Sequence, residues 1–153
     1  MTAAIGESID RVELLGELER EVGVMVRRIR RVLAERARSV HPELQSSTYL
    51  ILTWLEMRGP TRASGISEHF GIDKGAISRQ VQHLLELGMV ARTPDPDDGR
   101  ATLLSVSESA RVRLADVKES SRLWLDQKLG DLPDDDLAQF VGLLGRYNAA
   151  LES

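Results

Sequence analysis

The apolar and polar positions of this chain run through two different periods. From about residue 8 to residue 38, Leu15, Leu18, Val22, Met25, Ile29 and Val32 recur at alternating spacings of three and four. That spacing is the narrow seam of a helix that packs against other helices. A helix of about 30 residues is roughly 45 Å long at 1.5 Å per residue, more than one small domain covers, so the seam predicts a partner subunit. Ser8 is expected as its N-cap with Asp10 in the first turn. His41-Pro42 breaks the chain. A second helix is predicted from about Ser46 to Met57, turning Tyr49, Ile51, Leu52 and Leu55 inward, and Gly59-Pro60 ends it. Thr61 is expected to cap a short third helix, with Ile66 and Phe70 inward and Gly71 supplying the turn. The stretch DKGAISRQVQHLLELGMV, residues 73–90, then carries Ile77, Val81, Leu84 and Leu85 on one helical face. Its other face carries Lys74, Ser78, Arg79, Gln82 and His83, and Gly88 ends it in the C′ role.

After Gly88 the period drops to two. Residues 89–92 read as a strand, PDPDDG at 94–99 is turn material, and Thr102, Leu104 and Val106 alternate with Leu103 and Ser105 as a second strand. Helical spacing returns from Ser107, with Ala110, Leu114, Val117, Ser121 and Trp124 on one stripe, and Gly130 ends it. Pro133 heads a last helix. The three aspartates after it suit the positive end of the helix dipole, and its seam is Leu137, Phe140, Leu144, Tyr147 and Leu151. The predicted fold class is mainly α with a small β-hairpin wing: a winged helix-turn-helix plus a helical dimerisation region. The corresponding segments are an N-terminal dimerisation helix (1–45), the winged helix-turn-helix (46–106) and C-terminal dimerisation helices (107–153).

Composition narrows the function. Aromatic residues are only 4% of the 153, which argues against a platform on which single-stranded bases stack. The chain has no cysteine, which removes disulfides, thiolate metal sites and cysteine redox chemistry. No run of about 18 apolar residues is present, and MTAAIGESIDRVELL lacks the basic and apolar regions of a signal peptide, so a cytoplasmic protein with no membrane partner is expected. The net charge of −4 looks unsuited to nucleic acid. Its distribution removes the objection: residues 58–113 hold eight Arg and Lys against seven acids, while residues 114–153 hold four against eight. A local basic footprint matters more for DNA than the net charge.

Helix, turn, helix and hairpin in that order suit insertion of the second helix into a major groove. The stretch GPTRASGISEHFGIDKGAISRQVQHLLELGMVARTPDPDDGRATLLSVSESA resembles the MarR family of transcriptional regulators, and the resemblance extends over nearly the whole chain. The family's wing motif is matched by Asp98, Arg100, Leu104, Val106 and Ser107. Ala110 departs from it, standing where the family usually has Gly, and the wing tip is unusually acidic for an element lying on phosphate. The resemblance implies a homodimer reading a pseudo-palindrome in double-stranded DNA, most often as a repressor. It further implies a small phenolic or anionic effector bound between the dimerisation helices and the reading domain.

Arg79 is the first candidate for base or phosphate contact, since arginine hydrogen-bonds guanine in the major groove; the plain alternative is a solvated arginine bridging Asp73 or Glu86. Gln82 suits adenine by geometry, and Ser78 and His83 share its face. Lys74, Gly75 and Ala76 lie in the first helical turn, where small residues let backbone N–H groups approach a phosphate. Ser64 and Ser67 are weaker phosphate candidates. By resemblance, Arg100 reaches the minor groove, oriented by a salt bridge from Asp98. Tyr49, Trp54 and Trp124, with Arg27 or Arg31, are candidate effector contacts, against the plain alternative of core aromatics and a solvated RRIRR face. Leu15, Leu18, Val22, Met25, Leu137, Phe140, Leu144 and Tyr147 are the expected dimerisation seam. His41, His69 and His83 are not spaced for zinc, and the aspartates at 134–136 lack the spacing of a calcium loop, so no metal and no cofactor is expected. No nucleophile-elbow or phosphate-binding loop points to an enzyme. Two rivals to a sequence-reading regulator stay open: a winged-helix protein-interaction module, and an architectural DNA binder without sequence preference.

Overall fold

A computed structural model describes residues 10–152. In chain order the elements are α1 (Arg11–Val40), α2 (Ser46–Arg58), α3 (Ala63–Phe70), α4 (Lys74–Glu86), β1 (Val90–Pro94), β2 (Thr102–Val106), α5 (Glu108–Lys128) and α6 (Asp134–Leu151). They fall into two compact units, one ending at Leu114 and one beginning at Ala115, with the boundary inside α5.

The start of α1 differs from the sequence reading. Asp10 is the N-cap rather than a first-turn residue, and its carboxylate accepts from Val12 N at 3.1 Å. Ser8 lies outside the described residues. The far end of α1 enters the core of the first unit through Ala37 and Val40. There it meets α2, which buries Thr48, Tyr49, Ile51, Leu52 and Leu55, as a central helix with little polar surface should. Ile66 of α3 and Ile77, Val81 and Leu84 of α4 complete the core with Leu104 and Val106 of β2.

The hairpin is antiparallel, with Val90 opposite Val106 and Pro94 opposite Thr102. Thr61 was expected to be a helix cap. Instead it bridges to Leu104 by a reciprocal backbone pair, 3.0 and 2.9 Å, and its hydroxyl donates to the Gly59 carbonyl at 2.9 Å. Arg62 is the N-cap of α3, without a side-chain cap bond. The segment before α3 is thus a one-residue third strand of the wing. Gly65 lets it approach, because a Cβ there would stand 2.9 Å from Thr61 Cγ2. At the other end of the hairpin, the Ser107 hydroxyl donates to the Gly88 carbonyl at 2.7 Å and accepts from Ala110 N at 3.3 Å, tying the start of α5 to the end of α4. Ala110 is fully buried.

In the second unit, Pro133 is the N-cap of α6, with Asp134, Asp135 and Asp136 in the first turn. On α5 the Arg122 guanidinium donates twice to Glu119, at 3.2 and 2.7 Å.

Candidate nucleic-acid interface

The turn between α3 and α4 is built from three local devices. Gly71 takes a left-handed conformation, φ 61°, which a residue with a Cβ adopts only under strain. The Ser67 hydroxyl donates to the Ile72 carbonyl at 2.6 Å. Asp73 caps α4, its Oδ1 accepting from Ala76 N at 3.0 Å. Two expectations for phosphate contact change accordingly. Ser67 is a turn residue with its hydroxyl already used, and Ala76 has its N–H committed to a carboxylate. Asp73 also places negative charge at the positive end of the α4 dipole, where a phosphate would otherwise be attracted.

With Ile77, Val81 and Leu84 buried, α4 presents Gly75, Ser78, Arg79 and Gln82 to solvent. Arg79 bridges neither Asp73 nor Glu86: among the described residues its guanidinium makes no ion pair or hydrogen bond. It lies back along the helix, and a Cβ added at Gly75 would stand 3.7 Å from Arg79 Nη1 and 3.1 Å from Asp73 Oδ1. Gly75 therefore keeps the cap and the guanidinium uncrowded. Gln82 donates from Nε2 to Glu86 Oε1 at 3.1 Å, which leaves its carbonyl oxygen and one N–H for other partners. His83 is half-buried, and its Nε2 is 3.3 Å from the Glu43 carbonyl in the connection before α2. That contact draws it to the flank of the helix, away from the line of Gly75, Arg79 and Gln82. Ser64 and Lys74 are exposed.

At the wing, Asp98 does not pair with the Arg100 side chain as the resemblance implied. Its Oδ1 accepts from Arg100 backbone N at 3.1 Å, and its Oδ2 is 3.8 Å from Arg62. The Arg100 guanidinium is exposed and unpaired among the described residues, as is that of Arg92 on β1. The principal wing ion pair is one the sequence reading missed. Arg62 Nε donates to Asp95 Oδ2 at 2.6 Å, and Asp95 is only 7% exposed. The Asp97 N–H, donating to Asp95 Oδ1 at 2.9 Å, and then the Arg62 hydrogen bond hold the Asp95 carboxyl below the ordinary aspartate range. Asp95 raises Arg62 in turn. The acidity of PDPDDG is thus partly spent inside the protein.

Away from this face, the seam of α1 leaves Leu15 48% and Leu18 42% exposed, with Val22 and Met25 half-buried. On α6, Phe140 is 53% exposed, with Leu137, Leu144 and Tyr147 half-buried. The candidate effector residues have different surroundings within their own units. Tyr49 is buried, and burial raises its phenol above the ordinary tyrosine value against an opposing pull from Arg36. Trp54 stacks on His69 at 4.6 Å between ring centres, with Phe70 edge-on at 5.9 Å. Trp124 is 45% exposed on α5, and Arg27 and Arg31 are exposed on α1. A groove of about 470 Å³ is lined by Ala34, Arg38 and residues 42–47, and none of those five candidates lines it. No group of three His, Asp or Glu among the described residues is placed to hold a metal. No helix there is long and apolar enough to cross a membrane.

Two helices joined by a glycine turn, an arginine on the second with no partner among the described residues, and a two-stranded hairpin with an exposed arginine beside its turn define a winged helix-turn-helix protein. Residues 43–101 match the profile of the MarR family. YxaD, an HTH-type transcriptional regulator of Bacillus subtilis, is 28% identical over 87% of this chain and 92% of its own length. A probable transcriptional regulator from Pseudomonas aeruginosa is 27% identical, with a TM-score of 0.60 over 85% of this chain and 98% of its own. A mutant MarR from E. coli, solved complexed with operator DNA, shares the fold at 18% identity, with a TM-score of 0.67 over 90% of this chain and 98% of its own. Over residues 43–101 the chain thus resembles the MarR family, and the proteins it is similar to are named as transcriptional regulators.

Proposed function

We propose that this protein is a homodimeric, ligand-responsive repressor that reads a pseudo-palindromic operator in cytoplasmic double-stranded DNA. The observation that carries the reading is the free guanidinium of Arg79 on the exposed face of α4. An arginine there is placed for guanine in a major groove, and Gln82 presents the remaining donor and acceptor that adenine needs. Lys74 at the head of α4 and Ser64 on α3 would fix the protein on phosphates, and Arg100 and Arg92 would carry the wing onto the neighbouring backbone or minor groove. The E. coli relative bound to operator DNA supports this use of the fold.

A second copy would cover the exposed seam positions of residues 1–45 and of 107–153, leaving residues 46–106 as the reading head. Two-fold symmetry then sets half-sites about 34–36 Å apart, or a multiple. A small phenolic or anionic effector would act by favouring one spacing of the two α4 helices over another.

Arg79→Ala tests the reading. Replacing a bidentate base contact costs about 1–3 kcal/mol per half-site, so operator affinity should fall by at least tenfold while the dimer persists by light scattering. Unchanged operator affinity would remove α4 from its recognition role.

A further inference from the structure

Two contacts that adjoin in sequence tie the wing to the segment before α3, besides the Ser107 bond to Gly88 at the other end of the hairpin. Thr61 pairs with Leu104 through the backbone, and the next residue, Arg62, reaches 33 positions along the chain to Asp95. Asp95 closes the root of the hairpin loop: its N–H donates to the Ala101 carbonyl at 3.0 Å, and its carboxylate takes Arg62 on Oδ2 and the Asp97 N–H on Oδ1. Asp98, also within 3.8 Å of Arg62, holds the Arg100 backbone N–H. An unbroken set of polar contacts therefore runs from the N-terminus of α3 through Arg62, Asp95 and Asp98 to the backbone of Arg100. Nothing else in the loop is buried: Pro96, Asp97, Asp98, Gly99 and Arg100 are all exposed. A two-stranded hairpin has little stability of its own in water, so its direction has to be set by what it is tied to.

We propose that Arg62 and Asp95 form a positioning pair that fixes the wing relative to α3 and α4, so that Arg100 is held ready for DNA before binding. The proposal rests on the reading of this protein as a DNA binder, and it assigns Arg62 a role other than phosphate contact. Asp95 is the diagnostic residue because it is buried and negatively charged, and so has no favourable contact of its own to make with DNA. Its removal acts on DNA only through the wing.

The test compares Arg62→Gln, Asp95→Asn and the double variant with wild type. Hydrogen exchange of the 95–101 amides is measured in the free protein, and anisotropy with an operator duplex gives affinity. Circular dichroism checks that the helices persist. Both single variants should exchange faster in the loop and bind about tenfold more weakly, since ordering the wing then falls to the binding step. The double variant should be no worse than either single one, as two members of one contact require. If Asp95→Asn binds like wild type while Arg62→Gln loses affinity, Arg62 touches phosphate directly and the positioning role is overturned. Binding by both singles at the wild-type level overturns it too, whatever the exchange rates. A wild type that binds no duplex would instead overturn the DNA reading, and the positioning role with it.

Discussion

Asp95 is one of three aspartates in the loop of an element expected to lie on a polyanion, yet it is 7% exposed and carries three polar contacts. Its neighbours therefore set its charge state. Because its carboxyl is held below the ordinary value, chiefly by the Asp97 N–H and the Arg62 guanidinium, the folded wing favours the ionised form. The sign follows: the contribution is complete above the unfolded aspartate value of about 3.9, and it is lost only as pH falls through the lower, folded value. An NMR titration of the Asp95 carboxyl should give a midpoint under about 3.9, with wing amides insensitive to pH between about 5 and 8. A midpoint above the ordinary value would show that burial outweighs the Arg62 contact. Arg79 is the opposite kind of residue, a charge the fold leaves unsatisfied on a surface shaped by Gly75 and Asp73.

At the scale of elements, α4 and α1 each carry an exposed face whose partner is not in the chain's own core. For α4 that face is polar, and the buried triad Ile77, Val81 and Leu84 fixes which side points out. For α1 it is apolar. The helix contributes only Ala37 and Val40 to the buried core, while Val12, Leu14, Leu15, Leu18, Val26 and Ile29 remain 40% or more exposed. Apolar side chains in such a row would be covered by a second helix. A glutamate in that seam would put a charge where the partner packs. Leu18→Glu, and more strongly Leu18→Glu with Met25→Glu, should convert the proposed dimer to monomer in static light scattering, or unfold α1. An unchanged dimer mass for the double variant would mean that α1 is not the seam.

Across the whole molecule, the order of elements was legible because the chain changes period where the structure changes type: three-and-four spacing through Leu84, two through Val106, and three-and-four again from Ala110. The glycines at 71 and 88 adopt positive φ as their turn positions required. What could not be read were pairings between residues distant in sequence. The Thr61 bridge to Leu104 and the Arg62 contact to Asp95 leave no mark in local spacing, so Thr61 read as a cap and Arg62 went unnoticed. Side chains that consume their own polar groups were equally hidden. Ser67 and Ala76 looked free for phosphate until the turn and the Asp73 cap claimed them, and His83 looked like a neighbour of Gln82 until the Glu43 carbonyl drew it aside.

The exposed face of α4, with the wing beside it, is proposed to read DNA sequence. In the proposed dimer, Lys74, Arg92 and Arg100 of each subunit would give a count of phosphate contacts in the range for which affinity falls about 10³-fold or more between roughly 50 and 200 mM salt. The most direct measurement is fluorescence anisotropy across a salt series, with the duplex immediately upstream of the protein's own gene compared against a shuffled duplex of equal length. Binding should be tight, fall steeply with salt and favour the natural duplex. Absence of binding to either duplex at low salt would contradict this reading, and would turn the exposed face of α4 into a surface for another protein.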